Sequence, residues 1–205
     1  MAEDTFTSSA RYYKIVNGQI GRKVKEKTER SKTLIQNVKG QEYVSEVEYS
    51  PSISGYLEEV KENVSQFGTY WNIVLVDGDW KGILQILEDS NTFRMFSKQL
   101  PNMSKGVFYT LKPAISSFKS KSGTDVESTQ LWVSTFGTNV GFAFTADNPK
   151  DMPPTKEVML NGKPQIDRYD QVQFFRSLIA KYNEQPAKEQ PAQSKSTPQA
   201  TTLQA

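Results

Sequence analysis

Polar and apolar residues alternate through much of the chain, most densely between Ile53 and Leu87. From Tyr70 to Val76, Trp71, Ile73 and Leu75 fall on one side. Tyr70, Asn72, Val74 and Val76 fall on the other, which is the period of two of a half-buried strand. Asp77-Gly78 then predicts a tight hairpin, because Gly takes the positive φ of a type I′ turn at little cost. The next strand resumes with Trp80, Leu84 and Ile86 on one face. Upstream, a strand over Tyr43–Tyr49 breaks at Pro51 and continues past Gly55 as Tyr56 to Val64. Leu57 and Val60 are out of phase, so burying both requires a β-bulge or a sharp bend between them.

The same reading extends in both directions. Arg11 to Val16 and Gln19 to Lys25 predict strands joined at Asn17-Gly18. Glu26 to Lys32 reads as a basic loop, and Thr33–Val38 pairs with Gln41–Tyr49. Asp89 or Ser90 caps a short helix whose Phe93, Phe96 and Leu100 recur at helical spacing, and Pro101 stops it. Val107 to Phe118 is strand-like, with Pro113 marking an edge or bend. Gln130–Ser134 and Val140–Phe144 predict a hairpin around Gly137-Thr138-Asn139. Asp147 to Pro154 is irregular, and Glu157 to Gln165 forms a small hairpin across Asn161-Gly162. Val172, Phe175, Ile179 and Tyr182 make a helical stripe, widened by Phe174 and Leu178. The organisation expected is a flexible leader over 1–10, one domain over 11–183, and a Gln/Pro/Ala/Ser-rich tail over 184–205 too polar to pack.

A long bent strand, two more strands, a helix and two further strands follow one another. That is the order of an OB-fold, a mainly β, five-stranded barrel that binds oligonucleotides on its second and third strands. Here it carries an N-terminal β extension, a helix between the third and fourth barrel strands, and a C-terminal helix.

Composition narrows the chemistry. The chain of 205 residues has no Cys and no His, which excludes zinc fingers, thiol nucleophiles, His bases and disulfide scaffolds. No cofactor is expected. Asp77-x-Asp79 is explained by its turn. The polar start shows no secretory signal, and no apolar run exceeds Ile73–Val76, so a soluble intracellular chain is expected. The net charge of +2 hides blocks. Nine basic and two acidic residues make Arg11–Lys39 +7, while nine acidic and two basic residues make Gly40–Glu88 −7. A block of +7 suggests a polyanionic partner.

Single strands are held by basic grooves that track phosphates and by rings that stack bases. Tyr70 and Trp80 are the expected stacking platform, with Trp71 inside. Trp132 lies on a later strand. Arg22, Lys23, Lys25, Lys27, Arg30 and Lys32 are the candidate phosphate contacts of the basic block, and Lys112, Lys119 and Lys121 those further on. Gly18-Gln19-Ile20-Gly21 matches the GXXG backbone clamp of KH domains, but strand-like residues precede it where a helix is required.

The chain resembles bacteriophage single-stranded-DNA-binding proteins with a divergent OB-fold. The resemblance rests on Tyr13-Lys14-Ile15-Val16-Asn17-Gly18-Gln19-Ile20, Lys23-Val24-Lys25-Glu26, Ile53-Ser54-Gly55-Tyr56-Leu57, Phe67-Gly68-x-x-Trp71-Asn72-Ile73, Asn148-Pro149-Lys150-Asp151-Met152-Pro153-Pro154, and the helix from Asp170. It implies a non-enzymatic protein of the host cytoplasm that coats single-stranded DNA during replication or recombination and has replication or recombination proteins as partners. The ending Thr201-Thr202-Leu203-Gln204-Ala205 departs from the acidic, Phe-terminated tail with which many such proteins recruit partners. A virion structural or adaptor protein is the alternative expectation.

Overall fold

The computed structural model describes residues 10–38, 40–119 and 123–188. The protein is mainly β, with one large mixed sheet, a separate hairpin and two α-helices among the described residues. The N-terminal extension comprises β1 (Arg11–Val16), β2 (Gln19–Val24), β3 (Ser31–Val38) and β4 (Gln41–Ser50). The central unit follows as β5 (Ile53–Ser65), β6 (Gly68–Asp77), β7 (Trp80–Leu87), α1 (Asn91–Gln99), β8 (Phe108–Lys119), β9 (Asp125–Thr135) and the two-residue β10 (Thr138–Asn139). A hairpin, β11 (Lys156–Leu160) with β12 (Lys163–Asp167), precedes α2 (Tyr169–Asn183). The sheet order is β10-β9-β8-β5-β6-β7-β1-β2-β4-β3.

The expected five-stranded closure is absent: the hydrogen-bonded sheet ends at β10 and β3. Two contacts explain this. β1 occupies the free edge of β7, in parallel, with Lys14 beside Gln85. The facing edge of β9 is already satisfied by polar side chains of α1. Asn91 Nδ2 and Thr92 Oγ1 donate to Thr129 O, Gln99 Nε2 donates to Leu131 O (3.0 Å), and Gln99 Oε1 accepts from Val133 N (3.1 Å).

The bulge between Leu57 and Val60 is present. Leu57 opposes Leu75 and Val60 opposes Ile73, with the register slipping at Glu58, and both side chains are buried. The slip leaves backbone groups of β5 to be satisfied elsewhere. Leu57 N donates to Val107 O. Tyr182 Oη donates to Leu57 O (3.3 Å), while Asn183 bonds both the N–H and the C=O of Val60 (3.1 and 2.8 Å). The end of α2 is therefore docked on the bulge. Its buried stripe is Gln171, Phe175, Ile179 and Tyr182. Val172, expected inside, is only half-buried, because Gln171 takes the inward position and donates to Pro153 O (2.8 Å).

Pro113 lies beyond the last β5–β8 pair, Ile53 with Leu111, so its missing N–H is on a free edge, as expected. The hairpin expected to return over Val140–Phe144 shrinks to β10. After Val140 N bonds Val133 O, the chain turns inward; Ala143 N bonds Lys98 O and Phe144 packs edge-on against Phe174 at 5.3 Å. Asn17-Gly18 forms the β1–β2 turn with both φ positive. No helices flank it, which disposes of the KH clamp. Glu184 to Lys188, assigned to the tail, are described, and Lys188 N donates to Lys105 O (3.0 Å). The rest of the tail assignment and residues 1–9 of the leader lie outside the described residues.

Candidate nucleic-acid interface

The register places side chains of six strands in one transverse row. Lys61 on β5 opposes Asn72 on β6, which opposes Gln85 on β7; then come Lys14 on β1, Gly21 on β2 and Tyr49 on β4. Directly opposed residues share a face, so all six belong to the face that carries Tyr70 rather than the core face of Trp71, Ile73 and Leu75. Gln85 Nε2 donates to Asn72 Oδ1 (3.1 Å), which ties the middle of the row. Tyr70 stands one step along β6, half-buried, with Lys14 Nζ 5.6 Å from its ring centroid. A groove of about 270 Å³ opens there, lined by Lys14, Tyr70, Gln85 and Leu87, by Ile15 and Ile86 of the core face, and by Ser90, Thr92 and Thr129.

The basic extension continues this face. Lys23 and Lys32 both oppose Val47, one on each side of β4, and both are exposed. The opposite face of the same strands is charge-neutralised. Arg22 is half-buried and ion-paired with Glu48. Its hydrogen bond to Glu48, followed by one from Thr28, holds that carboxyl below the usual glutamate range. Thr33 and then Ser31 do the same for Glu46, at 2.6 and 2.9 Å. Lys25, Lys27 and Arg30 occupy the exposed turn between β2 and β3. Lys27 and Arg30 lie close enough to the two carboxylates to add to these shifts. Of the predicted basic block, then, Lys23 and Lys32 extend the row, whereas Arg22 is committed to a cross-strand pair.

Tyr70 and Trp80 are not brought together. Trp80 opposes Asp77 and so lies on the face of Leu75 and Leu84, opposite Tyr70. Its half-buried ring covers Gly82 and Gly55, where a Cβ would meet it, and it contacts Tyr13 at 6.3 Å. It closes one end of the core. Trp71 is buried as expected: it stacks on Phe93 (5.7 Å, 13°), Arg176 covers its ring at 5.8 Å, and Nε1 donates to Glu88 Oε1 (3.1 Å).

The remaining candidates form a second, separate group. Lys112 opposes Trp132 across β8 and β9. Both are exposed, and Trp132 leans on Phe142 at 6.0 Å. Exposed Phe118 and Val126 face each other near the end of this hairpin, next to Lys119. Lys121 lies outside the described residues. β5 separates this β8–β9 hairpin from β6 and Tyr70 in the sheet order.

Lys14, Lys61 and Tyr49 are residues of this candidate face that sequence reasoning missed. The alternation of Tyr12 and Lys14 with Tyr13 and Ile15 marks Lys14 as outward-facing. Only the parallel β1–β7 pairing puts it beside Tyr70. Among the described residues no group of three or more metal-ligating side chains is suited to a metal ion, and no helix is long and apolar enough to cross a membrane. Comparison with protein-family models, with curated proteins and with solved structures finds no match for the chain.

Proposed function

We propose that the chain binds single-stranded DNA, without sequence preference and without catalysis, along the face that runs from β6 through β7, β1 and β2 to β4. It would coat exposed strands in phage DNA replication or recombination, in the host cytoplasm. The observation that carries the reading is the Asn72–Gln85–Lys14–Gly21–Tyr49 row, with Tyr70 at its groove and Lys23 and Lys32 beyond; Lys61, next along the row on β5, is paired with Glu59 (2.6 Å). Lysines spaced along a sheet follow phosphates, and aromatic rings among them accept bases of any identity.

An OB-fold reading of the central unit supports the same conclusion. β5 pairs with both β6 and β8, β6 with β7 and β8 with β9, and α1 connects β7 to β8. OB barrels are often partly open, and their second and third strands, here β6 and β7, carry the ligand face.

Fluorescence anisotropy with labelled oligo-dT tests this. Affinity is expected to fall with salt at a log–log slope of about −0.7 per phosphate contacted. Lys23→Ala with Lys32→Ala should flatten that slope, and Tyr70→Ala should weaken binding by about 1–3 kcal/mol. Absence of salt-dependent binding overturns the proposal. If Trp132→Ala weakens binding and Tyr70→Ala does not, the strand follows β8–β9 instead.

The β11–β12 hairpin favours a second reading, a virion structural or adaptor role. Val158, Met159, Leu160 and Ile166 are all exposed on it, and clustered exposed apolar residues mark protein contacts.

A further inference from the structure

β3 ends the large sheet and pairs with β4 alone among the described residues. One row of its backbone N–H and C=O groups is therefore open. Proteins ordinarily blunt such an edge with charges, proline or a bulge, or cover it. None of these devices occurs in Thr33-Leu34-Ile35-Gln36-Asn37-Val38, which has no charge, proline or glycine. The register to β4 runs unbroken from Ser31 to Val38, so no bulge bends the edge away. The other end of the sheet is different. β10 has two residues, and α1 covers the neighbouring edge of β9 through Asn91, Thr92 and Gln99. Beside the open edge, Ile35 and Val44 oppose each other and are 62% and 61% exposed.

We infer that β3 pairs antiparallel with β3 of a second copy of this chain, about a two-fold axis through Ile35. An antiparallel edge is self-complementary, because the two-fold operation sets each donor against an acceptor. In this register Leu34 opposes Gln36 of the second copy, Thr33 opposes Asn37, and Lys32 opposes Val38. The one charged residue of β3 therefore meets no like charge. Ile35 and Val44 of both copies line up as four adjacent apolar side chains on one face. Lys32 and Lys23 stay uncovered on the other. A two-strand contact is smaller than the roughly 1,200–2,000 Å² of stable complexes, so association is concentration-dependent.

Sedimentation velocity on the full chain from about 1 to about 200 µM, the range in which small interfaces dissociate, reads the mass directly. The expected result is a shift from monomer to dimer. Ile35→Lys sets two lysines face to face at an exposed position and is expected to stay monomeric throughout, with an unchanged melting temperature. Because the chain has no cysteine, Ile35→Cys is expected to form a disulfide dimer under mild oxidation, faster than Val64→Cys, a control that is 72% exposed on β5. A monomer at every concentration overturns the inference. So does an Ile35→Lys variant that dimerises like the native chain, equal cross-linking of the two cysteine variants, or assembly beyond the dimer. None of these readouts involves DNA, so the inference stands or falls apart from the binding proposal.

Discussion

Tyr70, Trp71 and Trp80 lie close together in sequence and serve three ends. Trp71 is a core ring whose single polar atom is satisfied by Glu88. Tyr70 sits on the opposite face, where Lys14 covers it. Trp80 lies flat on glycines at the end of the core, and its position depends on their lacking side chains: a Cβ at Gly82 would collide with its ring. Trp80→Ala should therefore act on stability. The loss is expected at or below the lower end of the about 3–5 kcal/mol seen for fully buried rings, since Trp80 is half-buried. Oligo-dT affinity of the folded variant should be unchanged. Urea denaturation and anisotropy on the same preparation check this; a stable Trp80→Ala protein with weakened binding would return the ring to the interface. Alternation alone predicted the face of Trp71. It also set Trp80 with Leu84 and Ile86, but a pattern of period two does not say which rings at the end of a strand meet solvent.

At the scale of elements, α1 does two things. Its apolar side chains Phe93 and Phe96 enter the core, as their spacing predicted. Its polar side chains finish β9. Gln99 is fully buried, and its amide bonds Leu131 O and Val133 N in place of a neighbouring strand. Gln99→Met keeps the volume and orphans both backbone groups, each worth about 1–3 kcal/mol when left unsatisfied. The expected destabilisation is about 2–4 kcal/mol, read by thermal or urea unfolding. A neutral substitution would mean that β9 finds another partner for that edge. A glutamine at the end of a helix carries no sequence mark for this role, because its partners stand more than thirty residues away, a separation of 32 for Leu131 and 34 for Val133.

For the whole molecule, α2 is the element that locks the bent β5 strand. Phe175, Ile179 and Tyr182 fill the core, and Tyr182 and Asn183 satisfy Leu57 and Val60 at the bulge. Burial raises the pKa of the Tyr182 hydroxyl, so it remains a donor in alkaline solution. Ending the chain before Tyr169 is expected to cost several times the about 2–5 kcal/mol of one large buried side chain, and so to prevent folding. Ending it after Lys188 should leave the melting temperature nearly unchanged, because the residues removed are almost wholly polar. Circular dichroism on the two truncations checks the pair; two folded proteins of equal stability would show that α2 is dispensable.

The local order of this protein is legible in its residues. Alternation, glycine turns, a helix cap at Asp89 or Ser90 and the phase slip at Leu57 and Val60 are written in residues a few positions apart. The same holds for the charge blocks and for the absence of Cys and His. That Ser90 is the cap came from the structure. What packs beside what was settled in three dimensions. β1 displaces closure by pairing in parallel with a strand far along the chain (Arg11 beside Gly82), and α1 saturates the edge that closure needed. Arg22 turned to Glu48 while Lys23 faced outward, and Lys14 arrived beside Tyr70. Each of these outcomes depends on hydrogen-bond partners far apart in the chain, which no local periodicity encodes.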